Sequence, residues 1–101
     1  MNFEWDDDKA RRNQIKHGVS FAEAATVFGN PLAITYPDPD HSAHEQRWLT
    51  MGYSERERLL VIAHADGGEN TRIISARKAT RKERQAYEEQ NCRRTSDRYA
   101  S

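Results

Sequence analysis

Val19-Ser20-Phe21-Ala22-Glu23-Ala24-Ala25-Thr26-Val27-Phe28-Gly29-Asn30-Pro31-Leu32-Ala33-Ile34-Thr35-Tyr36 changes period midway, and that change decides the fold class. The first half opens with a helix start signal: Ser20 caps, Glu23 at the third helical position closes a capping box, and Val19 staples onto Ala24. Phe21, Ala24, Ala25 and Phe28 then lie at i, i+3, i+4 and i+7, one apolar stripe, until Gly29-Asn30-Pro31 ends the helix. From Leu32 to Tyr36 the chain becomes short, apolar and β-branched, and the turn-rich Pro37-Asp38-Pro39-Asp40-His41-Ser42 closes that run. A helical period giving way to a strand period excludes an all-helical or all-strand chain.

Upstream, Phe3-Glu4-Trp5 leads into a first helix of about eleven residues within Asp6–Gly18. Asp6 is its N-cap, Asp7 and Asp8 suit the positive end of the dipole, and Gly18 takes the left-handed position after Lys16 and His17. Its only apolar interior residues are Ala10 and Ile15, so Phe3 and Trp5 are expected to anchor it. Downstream, three further strands are predicted at about Glu45–Tyr53, Leu59–His64 and Asn70–Arg77, with connections short enough for an antiparallel meander. Thr80-Arg81-Lys82-Glu83 is a second capping box and starts a closing helix to about Gln90. The expectation is an α+β domain over residues 1–90, with two N-terminal helices, about four antiparallel strands and a C-terminal helix, followed by a flexible tail over 91–101.

The chain has 101 residues, the size of one domain. Charged residues make up 32% and hydrophobic residues 36%, with a mean hydropathy of -1.05, so nearly every apolar side chain is needed for the core. No apolar run reaches membrane-spanning length and the first residues lack a basic, then apolar, leader pattern. The lone Cys92 cannot form an internal disulfide, which fits a reducing, cytoplasmic compartment. The formal net charge of zero conceals an asymmetry. Residues 1–76 carry 8 basic and 12 acidic side chains, whereas residues 77–101 carry 8 basic and 4 acidic. Within Arg72–Arg84, six cations face only Glu83, a candidate polyanion contact; the alternative is a solvated face paired with the protein's own acids.

Several residues carry chemistry. Lys9, Asn13, Lys16 and His17 line one side of the first helix, a set that can bind phosphate and, through imidazole, move a proton. In the last strand Arg72 and Arg77 bracket an apolar run; alternation puts Ser75 and Arg77 on one face and Arg72 on the other unless a bulge intervenes. Each guanidinium suits a phosphate, or else an ion pair with Glu45 or Asp66. Arg81 and Lys82 occupy the first turn of the closing helix, where the dipole disfavours cations and an arriving phosphate would offset the cost. Arg47 and His64 extend the same rim. Asp38, Asp40, His41 and His44 lie in a proline-containing loop without metal-ligand spacing, and neither a metal site nor a cofactor fingerprint is expected.

Taken together, Phe3-Glu4-Trp5-Asp6, Asn13-x-x-Lys16-His17-Gly18-Val19-Ser20-Phe21, Asp38-x-Asp40-His41-Ser42 and Arg72-Ile73-Ile74-Ser75-Ala76-Arg77-Lys78-Ala79 with Glu83 and Tyr87 resemble the BrnT family of type II toxins over about residues 3–88. The resemblance implies a compact ribonuclease toxin with a RelE-like fold. It also implies a BrnA-type ribbon-helix-helix antitoxin, a two-plus-two complex, and operator DNA bound through the antitoxin. Where family members often carry Thr-x-Arg after the third strand, this chain has Ala65-Asp66-Gly67, which implies weakened activity or substitution by another arginine.

The expected chemistry is metal-independent RNA cleavage by the substrate's own 2′-OH. Arg72 and Arg77 are expected to contact phosphate, His17 or His64 to transfer the proton and Lys16 to add charge, while Arg47, Lys78 and Arg81 hold flanking phosphates. The alternative reading is a non-catalytic nucleic-acid- or protein-binding subunit of such a complex. A third is a structural subunit whose core another chain completes.

Overall fold

The computed structural model describes residues 2–39 and 45–100, with the backbone alone for 67 and 92–100. Helix α1 spans Asp7–His17 and is capped as its sequence dictates. The Asp6 carboxylate accepts from the amides of Asp8 and Lys9 at 2.8 and 3.1 Å, and Gly18 turns left-handed at φ 68°. Helix α2, Phe21–Val27, starts at Ser20, whose hydroxyl accepts from the Glu23 amide at 3.0 Å. Only half of the expected box forms there, because the Glu23 carboxylate turns away from the Ser20 amide toward Ser54 and Arg58.

Five strands follow the order β1-β5-β4-β3-β2 in one mixed sheet: β1 Asn2–Glu4, β2 Ile34–Pro37, β3 Arg47–Tyr53, β4 Leu59–Gly67 and β5 Asn70–Lys78. The antiparallel meander from β2 to β5 is as expected. The fifth strand is a correction: Phe3 and its neighbours pair in parallel with residues 70–72 instead of serving only as an apolar anchor. Ala65-Asp66-Gly67 lies inside β4 and not after it.

The register assigns the two faces. Leu60, Ile62 and His64 alternate on β4 toward the helices, and Leu60 and Ile62 with Ile73, Ala76, Val19, Phe21, Ala24 and Val27 make the main core. Burying each large apolar side chain contributes about 1.5–3 kcal/mol. Gly52 stands opposite Leu60, where an added Cβ would lie 2.9 Å from the Ala33 Cβ, so α2 and the strand entering β2 sit against a bare backbone. A smaller cluster of Met51, Leu59, Val61 and Tyr87 lies on the other face under helix α3, Arg81–Ala100.

Over residues 81–91, α3 buries little: Glu83, Tyr87 and Asn91 recur at helical spacing as the less exposed residues among neighbours that face water. The Tyr87 hydroxyl donates to the Leu32 carbonyl at 3.0 Å. The helix does not break near Gln90 as expected but continues to Ala100, since no Gly or Pro interrupts Asn91–Ala100.

Two polar networks tie the layers together. Glu23, 6% exposed, accepts from the Ser54 hydroxyl at 2.7 Å and from the Arg58 Nε at 2.9 Å, and Arg58 Nη2 also donates to the Gly18 carbonyl at 3.1 Å. The Arg58 guanidinium holds the Glu23 carboxyl below the usual carboxylate range despite its burial. In the other network the Asn13 carboxamide donates to the carbonyls of Val19 and Ala76 at 2.9 and 2.8 Å and accepts from the Ala76 amide at 3.0 Å. It pairs with the outer edge of β5 beyond the point where β1 ends, as a strand would.

Candidate nucleic-acid interface

A bulge makes the site. Ala63 pairs with Ser75 and His64 with Ile73, so Ile74 is the extra residue on β5. Alternation alone would place Arg72 and Arg77 on opposite faces. With the bulge, Arg72 stands opposite Ala65, Ser75 opposite Ala63 and Arg77 opposite Val61, all on the sheet face away from α1 and α2. Arg47 on β3 also stands opposite Ala65, and Tyr36 on β2 opposite Leu49, which adds both to this face.

The arginines have internal partners. Arg77 donates to both oxygens of Glu83, at 2.7 and 3.0 Å, while Glu83 accepts from the Thr80 amide and Thr80 caps the Glu83 amide. The reciprocal capping box predicted at Thr80 is therefore complete and extended by a guanidinium. Arg77 holds the Glu83 carboxyl down at about 2, against the penalty of partial burial. The Tyr36 phenol is raised first by burial and then by the Glu83 charge, which Arg77 opposes.

Arg72 Nη2 contacts both oxygens of Glu45 at 2.8 and 2.7 Å, and Arg47 Nε approaches the same carboxylate at 3.2 Å. The ion pair weighed in the sequence for Arg72 is thus present, with Glu45 and not Asp66. Ala65, 2% exposed, lies between Arg47 and Arg72, so its methyl group is flanked by two cations.

The remaining expected residues divide between three places. Lys16 and His17 line a groove between α1 and β5 with Lys9, Arg12, Asn13, Ile74 and Ser75. Ser75 therefore borders both this cationic groove and the face bearing Arg72 and Arg77. Asn13 is committed to backbone, as its hydrogen bonds show, and leaves the cations to face solvent. Lys78 and Arg81 are exposed where β5 passes into α3.

His64 is elsewhere. It is 6% exposed on the helix side of the sheet, edge-on to the Phe28 ring at 4.9 Å, with Nε2 2.7 Å from the Thr50 hydroxyl. Burial lowers its pKa and the Asp66 charge opposes this. The sheet therefore separates His64 from the arginines with which it was grouped. The alternation Leu60, Ile62, His64 carried that signal in the sequence.

Sequence reasoning did not place Tyr36 at the site, and it treated Glu45 and Glu83 as structural. Glu83 was marked by its capping pattern and by the family motif, and Glu45 as a possible partner of the arginines. Asp40, His41 and His44 fall outside the described residues. Among the described residues, no three His, Cys, Asp or Glu side chains cluster to hold a metal ion, and no helix is long and apolar enough to cross a membrane.

Comparison with known proteins places these features in a family. A search of curated proteins returned no match. The crystal structure of the Brucella abortus ribonuclease toxin BrnT shares the fold, with a TM-score of 0.63 and 23% identity over 80% of this chain and 99% of that one. The model for the ribonuclease toxin BrnT of type II toxin-antitoxin systems matches residues 5–83, which include both α-helices packed on the sheet, all of β2 to β5 and the Arg77–Glu83 pair. This chain therefore belongs to the BrnT family of ribonuclease toxins of type II toxin-antitoxin systems.

Proposed function

We propose that this family member cleaves RNA without a metal, using the substrate's 2′-OH as nucleophile. What supports this reading is the sheet face that gathers Arg47, Arg72 and Arg77 beside the cationic α1 groove. The 2′-oxygen forms a bond to the adjacent phosphorus, the bond to the 5′-oxygen breaks, and the products are a 2′,3′-cyclic phosphate and a 5′-OH. Arg72 and Arg77 bind the phosphoryl oxygens and stabilise the charge that builds on them. His17 takes the 2′ proton and returns it to the leaving 5′-oxygen, with Lys16 adding charge beside it. Arg47, Lys78 and Arg81 hold flanking phosphates. His64, packed behind the sheet, takes no part in these transfers.

The partner in this reading is a BrnA-type ribbon-helix-helix antitoxin. It forms a two-plus-two complex that binds operator DNA through the antitoxin, and its contact with the toxin's cationic rim is partly acidic. An RNA cleavage assay in EDTA tests the chemistry. Cleavage should persist on chelation, and Arg77→Lys and Arg72→Ala should each lower it by about 10²–10³-fold. Loss of cleavage in EDTA, or an undiminished rate in folded Arg77→Lys, would overturn the mechanism.

The internal pairing of Arg72 and Arg77 with Glu45 and Glu83 favours a second reading, a non-catalytic binding subunit. Induced expression that leaves growth and bulk RNA intact would support that reading over catalysis.

A further inference from the structure

The Glu45 carboxylate is held by guanidinium groups from two strands that are not neighbours. Arg72 on β5 contacts both of its oxygens at 2.8 and 2.7 Å and Arg47 on β3 reaches one at 3.2 Å, while the β4 residue between them is Ala65, which presents only a methyl group. Two guanidinium groups converging on a two-oxygen anion reproduce the way arginine grips the non-bridging oxygens of a phosphodiester. The three side chains remain 31–39% exposed, so a ligand reaches them from solvent.

A second carboxylate on this face, Glu83, is differently placed. Glu83 grips Arg77 but also accepts from the Thr80 amide, so removing it uncaps α3. Glu45 lies two residues before β3, and among the described residues the hydrogen bonds to its side chain come from the two arginines. It can leave them without unmaking a strand or a cap. The two arginines also hold its carboxyl below the usual range, which keeps it an anion and a poor proton acceptor.

We propose that Glu45 is an internal stand-in for a substrate phosphate: it fills the Arg47–Arg72 clamp in the free protein and is displaced when an RNA phosphodiester enters. This rests on RNA being the ligand of this face. The clamp is one phosphate subsite, and the carboxylate sets a threshold against weakly held anions.

The test is binding of an uncleavable 2′-O-methyl RNA oligonucleotide to the full chain, followed by fluorescence anisotropy across a salt series. Glu45→Gln should bind about three- to tenfold tighter, because a negative charge next to the incoming phosphate is gone. Its logarithmic salt slope should steepen by up to about 0.7, one more phosphate being neutralised on binding. Glu45→Ser should behave likewise, which guards against a peculiarity of the glutamine. Glu69→Gln, an exposed acid at the β4–β5 turn, should change affinity by less than about twofold, and Arg72→Ala added to Glu45→Gln should abolish the gain.

Equal or weaker binding by both Glu45 variants would overturn the proposal. So would an equal gain in Glu69→Gln, or a gain that survives loss of Arg72. Because the oligonucleotide cannot be cleaved, the outcome is independent of catalysis. A wild-type protein that fails to cleave RNA while the Glu45 variants bind more tightly would refute the cleavage mechanism and leave the exchange standing.

Discussion

Replacing Asn13 with alanine removes three hydrogen bonds that no neighbouring side chain replaces. The carboxamide is 7% exposed and joins α1 to the Val19 carbonyl and to both backbone groups of Ala76. Three net contributions of about 1 kcal/mol each, with a buried Ala76 amide left unpaired at a further cost of about 1 kcal/mol or more, are partly offset by the better helix propensity of alanine at about 0.5 kcal/mol. The expected loss is about 3–4 kcal/mol, or a melting temperature lower by about 12–30 °C for a domain of this size.

Asn13→Asp separates the donor from the acceptor role. An aspartate can still accept from the Ala76 amide, but ionised it opposes two carbonyl oxygens, so its folded pKa lies above its unfolded one. Protonation then favours folding: Asn13→Asp should be as unstable as the alanine variant at neutral pH and recover as pH falls through that raised pKa. Urea unfolding of the three proteins between pH 4 and 7.5 reads both effects. A loss under about 1 kcal/mol for Asn13→Ala, or an Asn13→Asp stability that does not depend on pH, would refute the assignment of this side chain as a pairing group for β5.

Two further outcomes follow from packing and charge. Glu83, lowered from an ordinary 4.5 to about 2, contributes stability that is present above about pH 4.5 and is lost as pH falls toward 2. Its partner Arg77 is 39% exposed, so after solvent screening the contribution is about 1–2 kcal/mol. The gap between wild type and Glu83→Gln in denaturant titrations should therefore narrow across that window. Gly52→Ala puts a methyl 2.9 Å from the Ala33 Cβ and 3.1 Å from the Val27 Cγ1, and should cost about 1–3 kcal/mol, read as a lower urea midpoint at unchanged slope.

Local signals in the sequence predicted local structure well. Asp6, Gly18 and Ser20 mark the helix ends where caps form, and the alternation in β3 to β5 places the meander because each strand meets its partner through a short connection. Long-range pairing was not legible in the same way. Phe3 joins β5 across most of the chain, and three residues are too few to show a period. The bulge at Ile74 carries no glycine to mark it, yet it determines whether Arg72 and Arg77 share a face. The composition of the site was legible in its arginines. Its electrostatics were legible in part: Glu45 stood beside Asp66 as a possible ion-pair partner, with nothing local to choose between them, and Glu83 had a sufficient local explanation as a cap.

The ends of the sheet bear on how the molecule meets other proteins. Its two outer strands are β1, with three residues, and β2, with four residues ending in Pro37, which has no amide hydrogen to offer. Past β1, the Asn13 side chain occupies the edge of β5 at Ala76. An incoming chain therefore finds only a few backbone groups at either margin, too short a template for edge-to-edge association. A partner must recognise side chains, and among the described residues the open ones include many charged groups together with Ile15, 81% exposed on α1.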